Sequence, residues 1–115
     1  MAGKTETSLT GLAAEFFYNK GYTVQEEVIL EGFSGLQHTF DLLLIDAKKE
    51  RTPVWVREWS RTVGVNMVIN LDKASSDVNM RGPIMVGEKF SDHAKAYANR
   101  RKIRLVTRKD ILGNL

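Results

Sequence analysis

The stretch Phe40-Asp41-Leu42-Leu43-Leu44-Ile45 constrains the fold more than any other part of the chain. Apolar residues occupy both alternate sets of positions, so a strand here is covered on both faces rather than open to water on one. Five apolar side chains in six positions suit a central strand with helices packed above and below. The exception is Asp41, a carboxylate inside an apolar strand, which is costly to bury unless it is paired or binds a cation.

The flanking sequence supplies the rest of such a sheet. Thr7 or Ser8 can cap an opening helix, whose Leu9, Leu12, Ala13, Phe16 and Phe17 recur at helical spacing until Gly21 ends it. Tyr22 to Glu31 reads as a strand, although Glu26 breaks its alternation. Gly32 to Gly35 makes a turn, and Thr39 to Ile45 is the second strand. Ala47 to Thr52 is a charged hairpin loop, followed by a third strand, Pro53 to Trp59. In that strand Val54, Val56 and Glu58 share one face, and Trp55, Arg57 and Trp59 the other. Val63 to Val78 reads as a helix despite its β-branched residues. Ile84 to Val86 is a short buried strand. Ser91 caps a helix running to about Lys102, Ile103 to Val106 is a last strand, and Asp110 to Leu112 a short terminal turn or helix. The order α-β-β-β-α-β-α-β, a meander followed by helical crossovers, gives an α/β fold with a mixed sheet and helices on both faces.

The length of 115 residues suits one domain, 1–115, with a core that needs no staples. Without cysteine there is no disulfide framework, thiolate metal site or Cys nucleophile. No apolar run approaches the roughly 18 residues of a membrane span. Met1 to Glu6 lacks the apolar core of a signal peptide, so a cytoplasmic location with no membrane partner is expected.

The net charge of +3 is unevenly spread. Residues 1–53 carry a net −3 and residues 54–115 a net +6, and seven basic residues with no acid lie between Lys95 and Lys109. Such a segment is a candidate phosphate-facing surface, with Lys95, Arg100, Arg101, Lys102 and Arg104 as its contacts. A solvated helix face is the alternative.

Asp41 and Glu58 are the candidate chemistry. With the hairpin turn near the middle of Lys48–Thr52, Asp41 lies close to opposite Glu58, at the roughly 4.5–5.5 Å Cβ spacing of cross-strand neighbours. Two carboxylates at that range suit a hard divalent cation such as Mg²⁺. The alternative is an ion pair with Arg57 or Arg61. Trp55 and Trp59 are candidates for stacking on bases, against a role in a second packed layer or a dimer surface. His38 and His93 stand apart, and Ser34, Ser60 and Ser91 have no triad pattern around them.

Several of these stretches together resemble the PD-(D/E)XK nuclease superfamily, nearest to Mrr-like restriction endonucleases and archaeal Holliday junction resolvases. They are Gly21-Tyr22-Thr23-Val24, Thr39-Phe40-Asp41-Leu42-Leu43-Leu44, Val54-Trp55-Val56-Arg57-Glu58-Trp59-Ser60-Arg61, Gly82-Pro83-Ile84-Met85-Val86-Gly87, Phe90-Ser91-Asp92-His93-Ala94 and Lys102-Ile103-Arg104-Leu105-Val106. The resemblance implies a restriction-endonuclease-like mixed sheet and Mg²⁺- or Mn²⁺-dependent cleavage of duplex or branched DNA by a homodimer. It implies that Asp41, Glu58 and the Trp59 carbonyl hold the metal, with Glu15 contributing from the first helix. Ser60 stands where the family has its lysine. Arg61 or Lys73 is then the replacement cation, Arg57 being assigned to the opposite strand face. Ser34 matches a Ser-Gly loop before the motif Asp, and His38 is placed to touch phosphate. Loss of the lysine also fits a module that binds DNA or a protein partner without cleaving.

Overall fold

The computed structural model describes residues 8–114; Thr7, the other candidate cap, and segment 1–6 lie outside the described residues. Helix α1, Leu9–Asn19, begins at Ser8, whose extended backbone lets its hydroxyl accept from the Gly11 N–H at 2.9 Å. Its apolar stripe is buried as the spacing predicts. Gly21, at φ +104°, turns the chain into β1, Thr23–Glu31.

Strands β2, Gln37–Ile45, β3, Arg51–Val56, β4, Ile84–Gly87, and β5, Arg104–Thr107, complete a five-stranded sheet in the order β1-β2-β3-β4-β5. The pairs β1–β2 and β2–β3 are antiparallel, while β3–β4 and β4–β5 are parallel. The parallel connections run through α2, Val65–Asp77, and α3, Asp92–Arg101. Helix α4, Arg108–Leu112, closes the described chain on a capping box of Thr107 and Asp110. Among the described residues no helix is long and apolar enough to cross a membrane.

The apolar run of β2 serves both faces. Leu42 and Leu44 pack with the α1 stripe, Val54, Val56 and Ile111, whereas Phe40 joins Val68, Leu71, Met85 and Ala94 on the other side. The even positions 40 and 42 thus enter different clusters, and the change falls at Asp41. The β1 position level with it, Glu27, takes φ +53°, and the regular pairing lapses there between Glu26↔Leu42 and Val28↔Phe40.

Several element boundaries depart from expectation: β2 starts at Gln37 rather than Thr39, and α4 at Arg108 rather than Asp110. Helix α2 starts at Val65 rather than Val63, because Gly64 is extended and Val63 forms a parallel bridge with Phe90. The 47–52 loop tightens to residues 46–50, and β3 begins at Arg51. That strand stops at Val56, three residues short of Trp59.

Candidate active site

The β2–β3 turn sets the site. Asp46 Oδ1 accepts the backbone N–H groups of Lys48 at 2.8 Å and Glu50 at 2.9 Å, and Lys49 adopts φ +70°. This aspartate-stabilised turn centres on Lys48, so Ile45 pairs with Arg51 and Leu42 with Val54. Extended one residue, the register sets Asp41 level with Trp55, not Glu58. The expected register is off by three residues, enough to change every cross-strand neighbour.

Asp41 sits where the β2–β3 ladder ends. Its Oδ2 accepts the Val56 N–H at 2.7 Å and lies 3.4 Å from Arg57 Nη1. Of the two ion-pair candidates weighed from the sequence, Arg57 is the partner, and its assignment away from the site is corrected: once β3 ends at Val56, the side chain reaches Asp41. The Arg57 guanidinium lies 4.6 Å from the Trp55 ring centroid and 5.9 Å from that of Trp59, and Arg61 stacks on Trp59 at 4.3 Å. Arg57 Nη1 also donates to the Val56 carbonyl at 3.2 Å. Burial pulls the Arg57 pKa below its usual value, and the charge and hydrogen bond of Asp41 oppose that shift. Both tryptophans are partly buried against the α2–α3 layer, the packed layer that was one of their alternatives.

Glu58 has a different partner. Its Oε2 accepts the Leu9 N–H at 2.7 Å, at the first turn of α1. A carboxylate there satisfies an orphan N–H and complements the positive end of the helix dipole. The contacts of Asp41 therefore lead to Arg57 and the tryptophan face, while that of Glu58 leads to α1. Glu15 is exposed on α1, and among the described residues no hydrogen bond or ion pair joins it to either acid. Ser60 is exposed in the loop after β3. Among the described residues no three His, Cys, Asp or Glu side chains gather as metal ligands.

Ser34 and His38 come together on a residue the sequence reading passed over, Asp77 at the end of α2. Ser34 Oγ donates to Asp77 Oδ2 at 2.6 Å, its N–H donates to Oδ1 at 3.0 Å, and His38 Nε2 lies 2.7 Å from Oδ2. These bonds, the Ser34 hydroxyl foremost, hold the Asp77 carboxyl below its ordinary pKa. Serine and histidine both meet the acid rather than each other, so the imidazole does not touch the hydroxyl and the Ser-His arrangement of an activated serine is not formed. His38 is a part-buried residue of β2. A Cβ on Gly32 would collide with the Asp77 carboxylate, so glycine is what lets the hairpin close on it.

The basic segment divides between faces. Arg101 Nε binds Asp72 Oδ2 at 2.8 Å, and the Tyr97 hydroxyl donates to the same oxygen at 2.6 Å, which holds the tyrosine above its usual pKa. Arg100, Arg101 and Lys102 line a groove of about 490 Å³ together with Arg81. Arg81 is remote in sequence from the Lys95–Lys109 segment, and only the fold joins them. Arg104 lies on the α1 side, over the Phe17 ring at 5.9 Å, and Lys95 is exposed on α3. Lys73 lines a second, larger groove beside Asp72 and Asp77.

The model of a restriction endonuclease family, Mrr_cat, matches residues 4–115. No curated protein matches the sequence. Among solved structures, a crystal structure of a protein of unknown function is similar over 84% of this chain and 54% of its own, at TM-score 0.75 and 19% identity. The structure of an EndoMS–double-stranded DNA complex is similar over 84% and 42%, at TM-score 0.62 and 15% identity. A repair endonuclease from Pyrococcus abyssi covers the same shares at TM-score 0.63 and 13% identity. The chain thus spans about half, or less, of the length of each solved chain it matches.

Proposed function

The chain belongs to the Mrr_cat restriction endonuclease family, and from that premise we propose that it is a DNA endonuclease domain, hydrolysing phosphodiesters with Mg²⁺ or Mn²⁺ at Asp41. One observation carries the proposal: the lone acid of the apolar strand β2 is a third exposed and has an arginine fixed beside it. Hydrated Mg²⁺ takes one or two protein carboxylates and completes its shell with water and phosphate. Both described bonds to Asp41 end on Oδ2, which leaves Oδ1 as the oxygen to hold the ion. Asp41 fits that donor set; the described bond of Glu58, from the Leu9 N–H to Oε2, ties that acid to α1.

When bound, the ion polarises the phosphate and lowers the pKa of its water. The chain's own part is positional. Trp55 and Trp59 hold the Arg57 guanidinium flat, presenting planar donors to a phosphate oxygen before DNA arrives. Arginine stays protonated, so Arg57 stabilises charge and moves no proton. Arg61, stacked on the next ring, extends the same positive surface. Arg81, Arg100 and Lys102 bind phosphates further along the strand, with the salt dependence such contacts impose. A homodimer doubles these contacts and suits a two-fold substrate.

A second reading is favoured by one specific observation, the Arg57 cation lying 3.4 Å from Asp41 where a metal must compete with it. On that reading the domain binds DNA without cutting it. Incubating the protein with duplex, branched and single-stranded DNA in Mg²⁺ or Mn²⁺, beside Asp41→Ala, separates the two. Cleavage lost in the variant supports the endonuclease. Binding with no cleavage in either metal supports the module.

A further inference from the structure

The larger groove, about 840 Å³, lies between the tip of the β1–β2 hairpin and helices α2 and α3. Trp55 and Tyr97 contribute rings to it, and Phe33 stands on its rim 84% exposed. Trp55 also carries the Arg57 guanidinium, so the groove and the Asp41 centre share a wall. On the other side, the groove meets the basic one at Asp72, Ser76 and Arg101. The result is an aromatic recess with arginines at both ends.

The polar groups inside select the occupant. Asp72 and Asp77 place two carboxylates in the recess, which repel a phosphate. Asn70 and Lys73 are exposed there and offer donors, and Asn70 an acceptor as well. Aromatic rings with the Asn70 amide match the faces and hydrogen-bonding edge of a nucleobase. A base inside a duplex is stacked and paired and cannot enter; an unpaired one can.

We propose that the recess lined by Phe33, Trp55, Asn70 and Tyr97 receives one unpaired base of a DNA strand whose backbone lies across Arg57, so that the domain prefers DNA containing an unpaired nucleotide to continuous duplex. The inference rests on the reading that the Asp41–Arg57 centre acts on DNA, and it adds the class of substrate.

The test uses fluorescence anisotropy without divalent metal, so that the DNA stays intact. The probes are a labelled duplex with a single bulged thymine and the same duplex fully paired. The wild-type protein is expected to bind the bulged duplex about tenfold more tightly, the scale of one base–aromatic stack. Phe33→Ala with Asn70→Ala, both at exposed positions, removes that preference and leaves affinity for the paired duplex unchanged. Arg57→Gln weakens binding to both. Equal wild-type affinity for the two probes, or a preference that survives in the Phe33/Asn70 variant, overturns the inference and leaves DNA action standing. Binding to neither probe overturns the DNA reading itself, and the inference with it.

Discussion

Replacing Asp41 tests the centre before any reaction is measured. Its Oδ2 receives the Val56 N–H at 2.7 Å and faces Arg57 Nη1 at 3.4 Å. At that separation the bare Coulomb attraction is about 5 kcal/mol for an effective dielectric of 20 and about 1 kcal/mol in water. The Asp41 and Arg57 side chains are 34% and 22% exposed, so solvent screening brings the pair toward the lower figure, to about 1–2 kcal/mol. Asp41→Ala also orphans the Val56 N–H, at about 1–3 kcal/mol. The total loss is then about 2–5 kcal/mol. Asp41→Asn keeps an acceptor for Val56 and loses only the charge, at about 1–2 kcal/mol. Urea unfolding of Asp41→Asn, Arg57→Gln and the double variant, at matched m-values, gives the coupling energy directly. A coupling of about 1 kcal/mol or more is expected. Strict additivity, within about 0.3 kcal/mol, would show that the pair does not form in solution and would remove the basis for a fixed Arg57.

Three further outcomes follow from other contacts. Glu58→Gln should destabilise the fold by about 1 kcal/mol through the weakened α1 terminus, while DNA affinity measured by anisotropy stays the same; a large loss of affinity would place Glu58 at the phosphate instead. Asp77 is held below its ordinary pKa, so its ionised form stabilises the fold; that contribution is complete above the unfolded value of about 3.9 and is lost as pH falls through the folded one. Melting curves of Asp77→Asn should therefore show a flatter acid limb below about pH 4 than the wild type, and parallel limbs would deny the Ser34–His38 tie. Lys102 caps α3 at φ +61°, so Lys102→Gly should raise stability by about 1 kcal/mol yet weaken DNA binding; unfolding and anisotropy together check both signs.

Much of this architecture was readable from side-chain pattern. Leu42 and Leu44 of the apolar run pack under the α1 stripe, and Phe40 before them meets α2 and α3 on the other face. The register was not read correctly, although its cause stands in the sequence: Asp46 caps the turn through its own carboxylate and moves the centre from about residue 50 to Lys48. That shift decided which residues share the site. Asp41 as a candidate follows from local chemistry alone, an acid in apolar company. Arg57 did not, because where β3 ends depends on β2 and β4 beside it rather than on its own residues. The meeting of Ser34 and His38 at Asp77, and of Arg81 with Arg100, spans chain separations that no local pattern encodes.

The central claim is that Asp41 is the residue at which DNA is cut. Its most direct test is cleavage of end-labelled DNA by the wild-type chain and by Asp41→Asn, with Mg²⁺ or Mn²⁺ and with chelator. The account predicts metal-dependent cleavage by the wild type alone, the variant still binding DNA. Cleavage by Asp41→Asn at the wild-type rate, or binding by the wild type with no cleavage in either metal, would contradict it.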